Sequence, residues 1–208
     1  MKGYFITFEG PDGSGKTTVA NAICEKLVEK GYEVVHTREP GGIEISEDIR
    51  NIILDPKNTA MDARTEALLY AASRRQHLVE KVFPAMKEGK IVICERFLDS
   101  SLAYQGYGRQ LGFDEVLGIN LFAIENTYPD LTIYFDVDEA IGLSRLEKRS
   151  FKDRLDQESI DFHHRVSAGY KEVLKRFKDR IKIVDASQPK EDVIDNTLNI
   201  ILDLIKND

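Results

Sequence analysis

The sequence predicts an α/β fold, a five-stranded parallel sheet flanked by helices in three layers. Three observations carry that prediction. Apolar runs of strand length alternate with longer stretches whose apolar residues recur at helical spacing. Ile91–Cys94 is apolar at every position and Leu131–Phe135 at all but one, as strands covered on both faces of a parallel sheet are. The first run passes directly into a glycine-rich loop that opens a helix.

Tyr4–Phe8, rich in aromatic and β-branched residues, reads as the first strand. From Lys16 to Lys30 the residues Val19, Ile23, Leu27 and Val28 mark a helix, and Gly31 is placed to cap its end. Glu33–Thr37 is a second strand, closed by the breaker Pro40-Gly41-Gly42. Helices are expected over Ser46–Leu54 and Ala63–Lys87, the latter ended by Gly89, and then the strand Ile91–Cys94. A helical pattern over Asp114–Thr127 precedes the strand Leu131–Phe135. Ile181–Val184 is the fifth strand, with helices expected near Asp138–Lys148, Gln157–Arg176 and Glu191–Ile205. In such sheets ligands bind at the carboxyl ends of the strands.

The 208 residues suit one domain, 1–208, and no stretch approaches the ~18 apolar residues of a membrane span. Glu9 interrupts the N-terminal apolar run too early for a secretory signal. Cys24 and Cys94 lie in apolar runs without metal-ligand spacing, which fits buried thiols and a cytoplasmic location. The formal charge of −7 argues against a nucleic acid polymer as partner.

Gly10-Pro11-Asp12-Gly13-Ser14-Gly15-Lys16-Thr17 fits G-x-x-x-x-G-K-[ST] between a strand and a helix, so the fold is of the P-loop NTPase type. Backbone N–H groups from Gly13 through Thr18 would cradle phosphates at a helix N-terminus. Lys16 would reach the β- and γ-phosphates of ATP, and Thr17 would bind Mg²⁺. A chance match in a chain of ordinary glycine content is on the order of one percent.

Three classes share this loop: small-molecule kinases, GTPase switches, and ATP-driven motors or partitioning proteins. The fourth strand ends Tyr134-Phe135-Asp136-Val137-Asp138, without the Asn/Thr-Lys-x-Asp that reads guanine, and no second lysine opens the loop. Instead Arg38 and Arg96 follow strand ends, joined by Arg50 and Arg74 on helices. Singly, each arginine reads as a solvated surface residue. Four around one cleft suit a second, anionic substrate. Asp99 and Glu39 are candidate bases, but a phosphate acceptor is already ionised and needs none.

The segments Phe8-Glu9-Gly10, Thr37-Arg38-Glu39-Pro40-Gly41-Gly42, Ala72-Ser73-Arg74-Arg75, Arg96-Phe97-x-x-Ser100-Ser101-x-Ala103-Tyr104-Gln105-Gly106 and Arg154-Leu155-Asp156-Gln157-Glu158 closely resemble the bacterial thymidylate kinases. The resemblance runs from about Gly3 to Ile205. It implies transfer of the γ-phosphoryl of ATP to dTMP with Mg²⁺, giving dTDP and ADP, by a homodimer packed through helices. It also implies that Arg38, Arg50 and Arg96, beside Glu39, hold the acceptor phosphate. Tyr70 would stack on thymine, where the family often has Phe. Arg74 would meet a base carbonyl, Ser101 and Gln105 the base edge, and Tyr104 the deoxyribose, leaving no room for a 2′-hydroxyl. An arginine can only donate, which suits a thymine carbonyl and not a cytosine amino group.

Arg145–Arg154 holds five basic residues against Glu147 and Asp153, by composition a solvated helix end. The resemblance makes it a lid, about residues 145–156. It also implies that a chain with an acid in the loop, here Asp12, carries its catalytic arginine in that lid, with Arg149 and Arg154 the candidates. One position departs from the pattern: Glu95 precedes Arg96 where the family usually has Asp. Its carboxylate is expected to act on Mg²⁺ through water, from one methylene farther out. His77, His163 and His164 read as surface or helix-packing residues. Another nucleotide or deoxynucleoside kinase of the same fold, or a nucleotide-dependent switch, remains the alternative.

Overall fold

The computed structural model describes residues 2–138, 141, 142, 144 and 153–206. Five strands, β1 (Tyr4–Glu9), β2 (Val34–Arg38), β3 (Ile91–Glu95), β4 (Leu131–Asp136) and β5 (Ile181–Asp185), form one sheet in the order β2-β3-β1-β4-β5. Every pairing is parallel. The strands fall where the apolar runs lie, each within one or two residues.

Alternation along the strands divides the interior into two cores. Ile6, Phe8, Ile91 and Ile93 face α1 (Lys16–Glu29) and the C-terminal helix, α8 (Lys190–Lys206). Phe5, Val92 and Cys94 face the other layer, built from α3 (Ala63–His77), α6 (Phe113–Ile124) and α7 (Ile160–Arg176). Gly31 ends α1 as expected: it takes φ +88, its N–H bonds Val28 O, and Tyr32 N–H reaches back to Leu27 O. α2 (Glu44–Leu54) begins two residues before the expected start and lies along α3.

Two helices differ from expectation. The stretch 63–87 is helical throughout, yet a π-helical turn, Leu78–Val82, separates α3 from α4 (Phe83–Lys87). Beyond β3, α5 (Leu98–Ser101) runs into a second π-helical segment, Leu102–Gly108, where no element is expected from the pattern. Widened turns of this kind occur often at functional sites. Most of the helix expected near 138–148 lies outside the described residues.

Register brings the strand ends together. Glu95 pairs with Phe8 of β1 on one side and with Arg38 of β2 on the other. The phosphate loop after β1 therefore opens beside Arg96 and Arg38, at the carboxyl edge where β1 and β3 part to helices on opposite faces.

Candidate active site

A cavity of about 400 Å³ runs along this edge. Lys16, Thr17 and Thr18 line one end, and Tyr70, Arg74, Ser101, Tyr104 and Gln105 the other, with Arg38, Arg50 and Arg96 also on its wall. Asp12, Gly13, Gly15, Glu39, Glu95 and Leu155 complete much of the lining. The candidate residues thus gather from seven separate elements and the loops between them.

The phosphate loop curls as its glycines require. Gly10 has φ +138, and a Cβ there would come within 2.7 Å of Phe135 O. Lys16 folds back into the loop, donating to Gly10 O at 2.9 Å, Pro11 O at 2.7 Å and Ser14 Oγ at 3.2 Å. Burial, with Arg96 close by, pushes its ammonium down to about 7 against the pull of Asp12, Glu9 and Glu95. Phosphate oxygens would reverse that shift and draw the side chain outward.

Thr17 Oγ1 donates to Glu95 Oε2 at 2.5 Å. Burial raises the Glu95 carboxyl, but hydrogen bonds from His36 and Thr17 more than offset it, so the group is held below its ordinary range. Arg96 stands at φ +66, a left-handed conformation unusual for a side chain of its size. Its Nη2 donates to Asp12 Oδ1 at 2.8 Å and to Tyr104 OH at 3.3 Å, and its Nη1 to Ser100 Oγ at 3.0 Å. Tyr104 OH in turn donates to Asp12 Oδ2 at 2.6 Å. Arg38 forks onto Glu47, at 2.6 and 3.2 Å, and Arg50 donates to Pro40 O at 2.9 Å.

At the far end Arg74 is 1% exposed. Its Nε donates to Glu39 Oε2 at 2.7 Å and its Nη1 to Ser101 Oγ and Asn120 Oδ1. Gln105 Nε2 donates to Glu66 at 2.9 Å, which fixes the amide so that its carbonyl is left for a ligand.

Several expectations change. Arg154 does not face the phosphate loop: its Nε donates to Ile53 O at 2.8 Å and its Nη2 to Glu66, so the guanidinium ties the chain to α2 and α3. Arg149 lies outside the described residues. Neither candidate base is available. Asp99 is gripped by Arg180 at 2.6 and 2.7 Å, and Glu39 by Arg74 and His77. Of the two readings of His77, surface or helix packing, the first fails: it is fully buried on α3 and bridges Glu39 Oε1 at 2.9 Å to Thr37 Oγ1 at 2.7 Å. With both ring nitrogens engaged, it ties the end of β2 to Glu39 just beyond it.

Sequence reasoning passed over Glu9, Glu66 and Asn120. Glu9, 1% exposed, accepts from Phe97 N and Ser100 N and from the hydroxyls of Ser100 and Tyr170, and so holds the start of α5 against β1. Burial and the nearby Asp99 push its carboxyl up. A carboxylate closing a fully buried, mostly apolar strand, and an asparagine inside the largely apolar helix α6, were the available signals. Glu66 offered none.

A phosphate loop opening onto a second, arginine-lined substrate site on a parallel sheet defines a P-loop nucleotide kinase. The family model described as thymidylate kinase matches residues 8–196. A thymidylate kinase of Geobacillus sp. strain WCH70 is 57% identical over 208 residues, covering 99% of each chain. One from Bacillus licheniformis is 58% identical, covering 99% of this chain and 98% of the other. The crystal structure of thymidylate kinase from Ehrlichia chaffeensis superposes with a TM-score of 0.79 at 34% identity, over 97% of this chain and 99% of that one. The chain belongs to the thymidylate kinase family.

Proposed function

We propose that the cavity binds ATP at its Lys16 end and dTMP at its Arg74 end, and transfers the γ-phosphoryl group to give ADP and dTDP. The observation that carries this reading is the continuity of the cavity from the phosphate loop, past three arginines, to a buried pocket of base-reading groups.

An ionised oxygen of the dTMP phosphate attacks the γ-phosphorus as the bond to the β-phosphate oxygen breaks, and the electron pair leaves on ADP. No side chain need remove a proton, in keeping with Asp99 and Glu39 both being held in ion pairs. Arg38, Arg50 and Arg96 orient the acceptor phosphate, and Lys16 neutralises the donor phosphates. Thr17 Oγ1 and the Glu95 carboxylate are hard oxygen donors side by side at the loop, a set that fits Mg²⁺. When bound, the cation offsets charge on the β- and γ-phosphates. Arg149 is assigned the lid role, because Arg154 is committed to Glu66.

Arg74 and the carbonyl of Gln105 suit a thymine, which offers carbonyls and an N3–H, and disfavour cytosine. Tyr70 lines the same end and suits stacking on the ring. Tyr104, locked to Asp12 and Arg96, fills the space expected beneath the sugar. Among the described residues no helix is long and apolar enough to cross a membrane. The free thiols of Cys24 and Cys94 support a reducing, cytoplasmic location. Leu68 on α3 and Phe122 on α6 are 56% and 89% exposed, apolar surface that supports pairing of two copies.

Coupled ADP release with Mg-ATP against dTMP, dUMP, dCMP, UMP, AMP and thymidine tests the assignment. We expect dTMP to lead and thymidine to be inert. dUMP, lacking one methyl worth ~1–3 kcal/mol, should trail by roughly 10- to 200-fold in kcat/KM. Equal ADP release without any acceptor would leave an ATPase and remove the acceptor site.

A further inference from the structure

Glu95 ends β3 with a carboxylate one methylene longer than the aspartate of the family pattern. The extra rotatable bond lets that carboxylate wander unless a second contact holds it. The structure supplies one. Oε2 accepts from Thr17, and Oε1 lies 3.0 Å from His36 Nε2. An ionised carboxylate has no proton to give, so Nε2 carries the hydrogen and donates.

Strand geometry makes the contact possible. His36 pairs with Ile93 and Arg38 with Glu95, so the side chains at 36, 38, 93 and 95 share the sheet face that carries α1 and Thr17. His36 is absent from the nucleotide cavity. It reaches Glu95 from a shallow hollow of about 240 Å³ behind it. Its side chain remains 30% exposed, against 12% for Glu95, so it is no core packing element.

We propose that His36 is a positioning residue for phosphoryl transfer: it fixes the long Glu95 carboxylate so that Thr17 and Glu95 present their oxygens together to the divalent cation. The proposal rests on the assignment of Glu95 to Mg²⁺ made above. Thr17 gives its hydroxyl proton to Oε2 and keeps its lone pairs for the cation. His36, engaging Oε1, removes the remaining rotation of the carboxylate. Outer partners of metal ligands act in this way without touching the metal.

The test pairs steady-state kinetics with electron paramagnetic resonance titration of Mn²⁺ into the protein–ADP complex. His36→Leu should lower both kcat and Mn²⁺ affinity by ~10-fold, with the KM for dTMP within about twofold. His36→Gln, whose amide keeps a donor, should recover most of that loss. In the Glu95→Asp background, where the shorter carboxylate cannot meet His36, adding His36→Leu should cost less than about twofold. Equal costs in the two backgrounds would overturn the proposal. So would a lowered melting temperature with kcat and Mn²⁺ affinity unchanged, since His36 would then be only structural. Glu95→Gln separates the two readings: unchanged Mn²⁺ affinity in that variant removes the cation assignment itself, whereas a loss there with additive His36 effects removes only the role of His36.

Discussion

Lys16 shows how one residue carries two states. With its ammonium turned onto Gly10 O, Pro11 O and Ser14 Oγ, it fills the loop that phosphates would occupy. Its pKa near 7 records how poorly the buried loop supports a full positive charge without an anion. Lys16→Met keeps the stem and removes the charge, so the fold should persist while kcat drops by at least ~10²-fold. Circular dichroism with the coupled ADP assay checks both halves; full activity in that variant would overturn the phosphate-loop assignment. At this scale the sequence disclosed residues whose neighbours in the chain explain them. Gly10 through Thr17 form a local device, and the strand-end arginines follow from period and position. Glu9, His77 and Glu66 could not be read in this way. Each owes its role to partners at least 38 positions away, and burial made them necessary rather than any local pattern.

Elements were legible where periodicity decided them. β3 is four apolar residues and a glutamate, and alternation alone sends Cys94 to one core and Glu95 to the α1 face. The π-helical segment Leu102–Gly108 was not legible, since Gly106 and Gly108 weaken any helical signal and its shape depends on the helix packed against it. That helix is α7. A Cβ on Gly169 would lie 2.8 Å from Ala103 Cα and 3.1 Å from Ala103 O, backbone atoms beside Tyr104. Gly169→Ala would gain ~1 kcal/mol of helix propensity. Overpacking against a backbone costs about 1–3 kcal/mol, so the net effect should be destabilising. Pushing Ala103 also displaces Tyr104 and Gln105, so the KM for dTMP should rise together with a fall in Tm. A higher Tm at unchanged KM would show that the two segments separate freely.

For the molecule as a whole, the segments around the nucleoside end converge on Glu66. From α3 its carboxylate accepts from Gln105 of the π-helical segment, from Arg109 beyond it and from Arg154, which also bonds the end of α2 through Ile53 O. Burial pushes the Glu66 carboxyl up, but the bonds from Arg109, Gln105 and Arg154 outweigh it and hold the group below its ordinary value of 4.5. A carboxyl depressed in the folded state stabilises the fold fully above its unfolded pKa, and that contribution disappears as pH falls through the lower folded value. The native protein should therefore lose Tm below about pH 4.5. Glu66→Gln keeps the shape but takes the carboxylate from Arg154 and leaves Arg109 with Glu158 alone, at a cost of about 3 kcal/mol near neutrality. The gap in Tm between native and variant should be wide at neutral pH and close as the acid limb is descended, because the native carboxyl is then also uncharged. Thermal melts of both proteins across the acid range measure it. A gap that stays constant would mean that Glu66 holds these segments by shape alone.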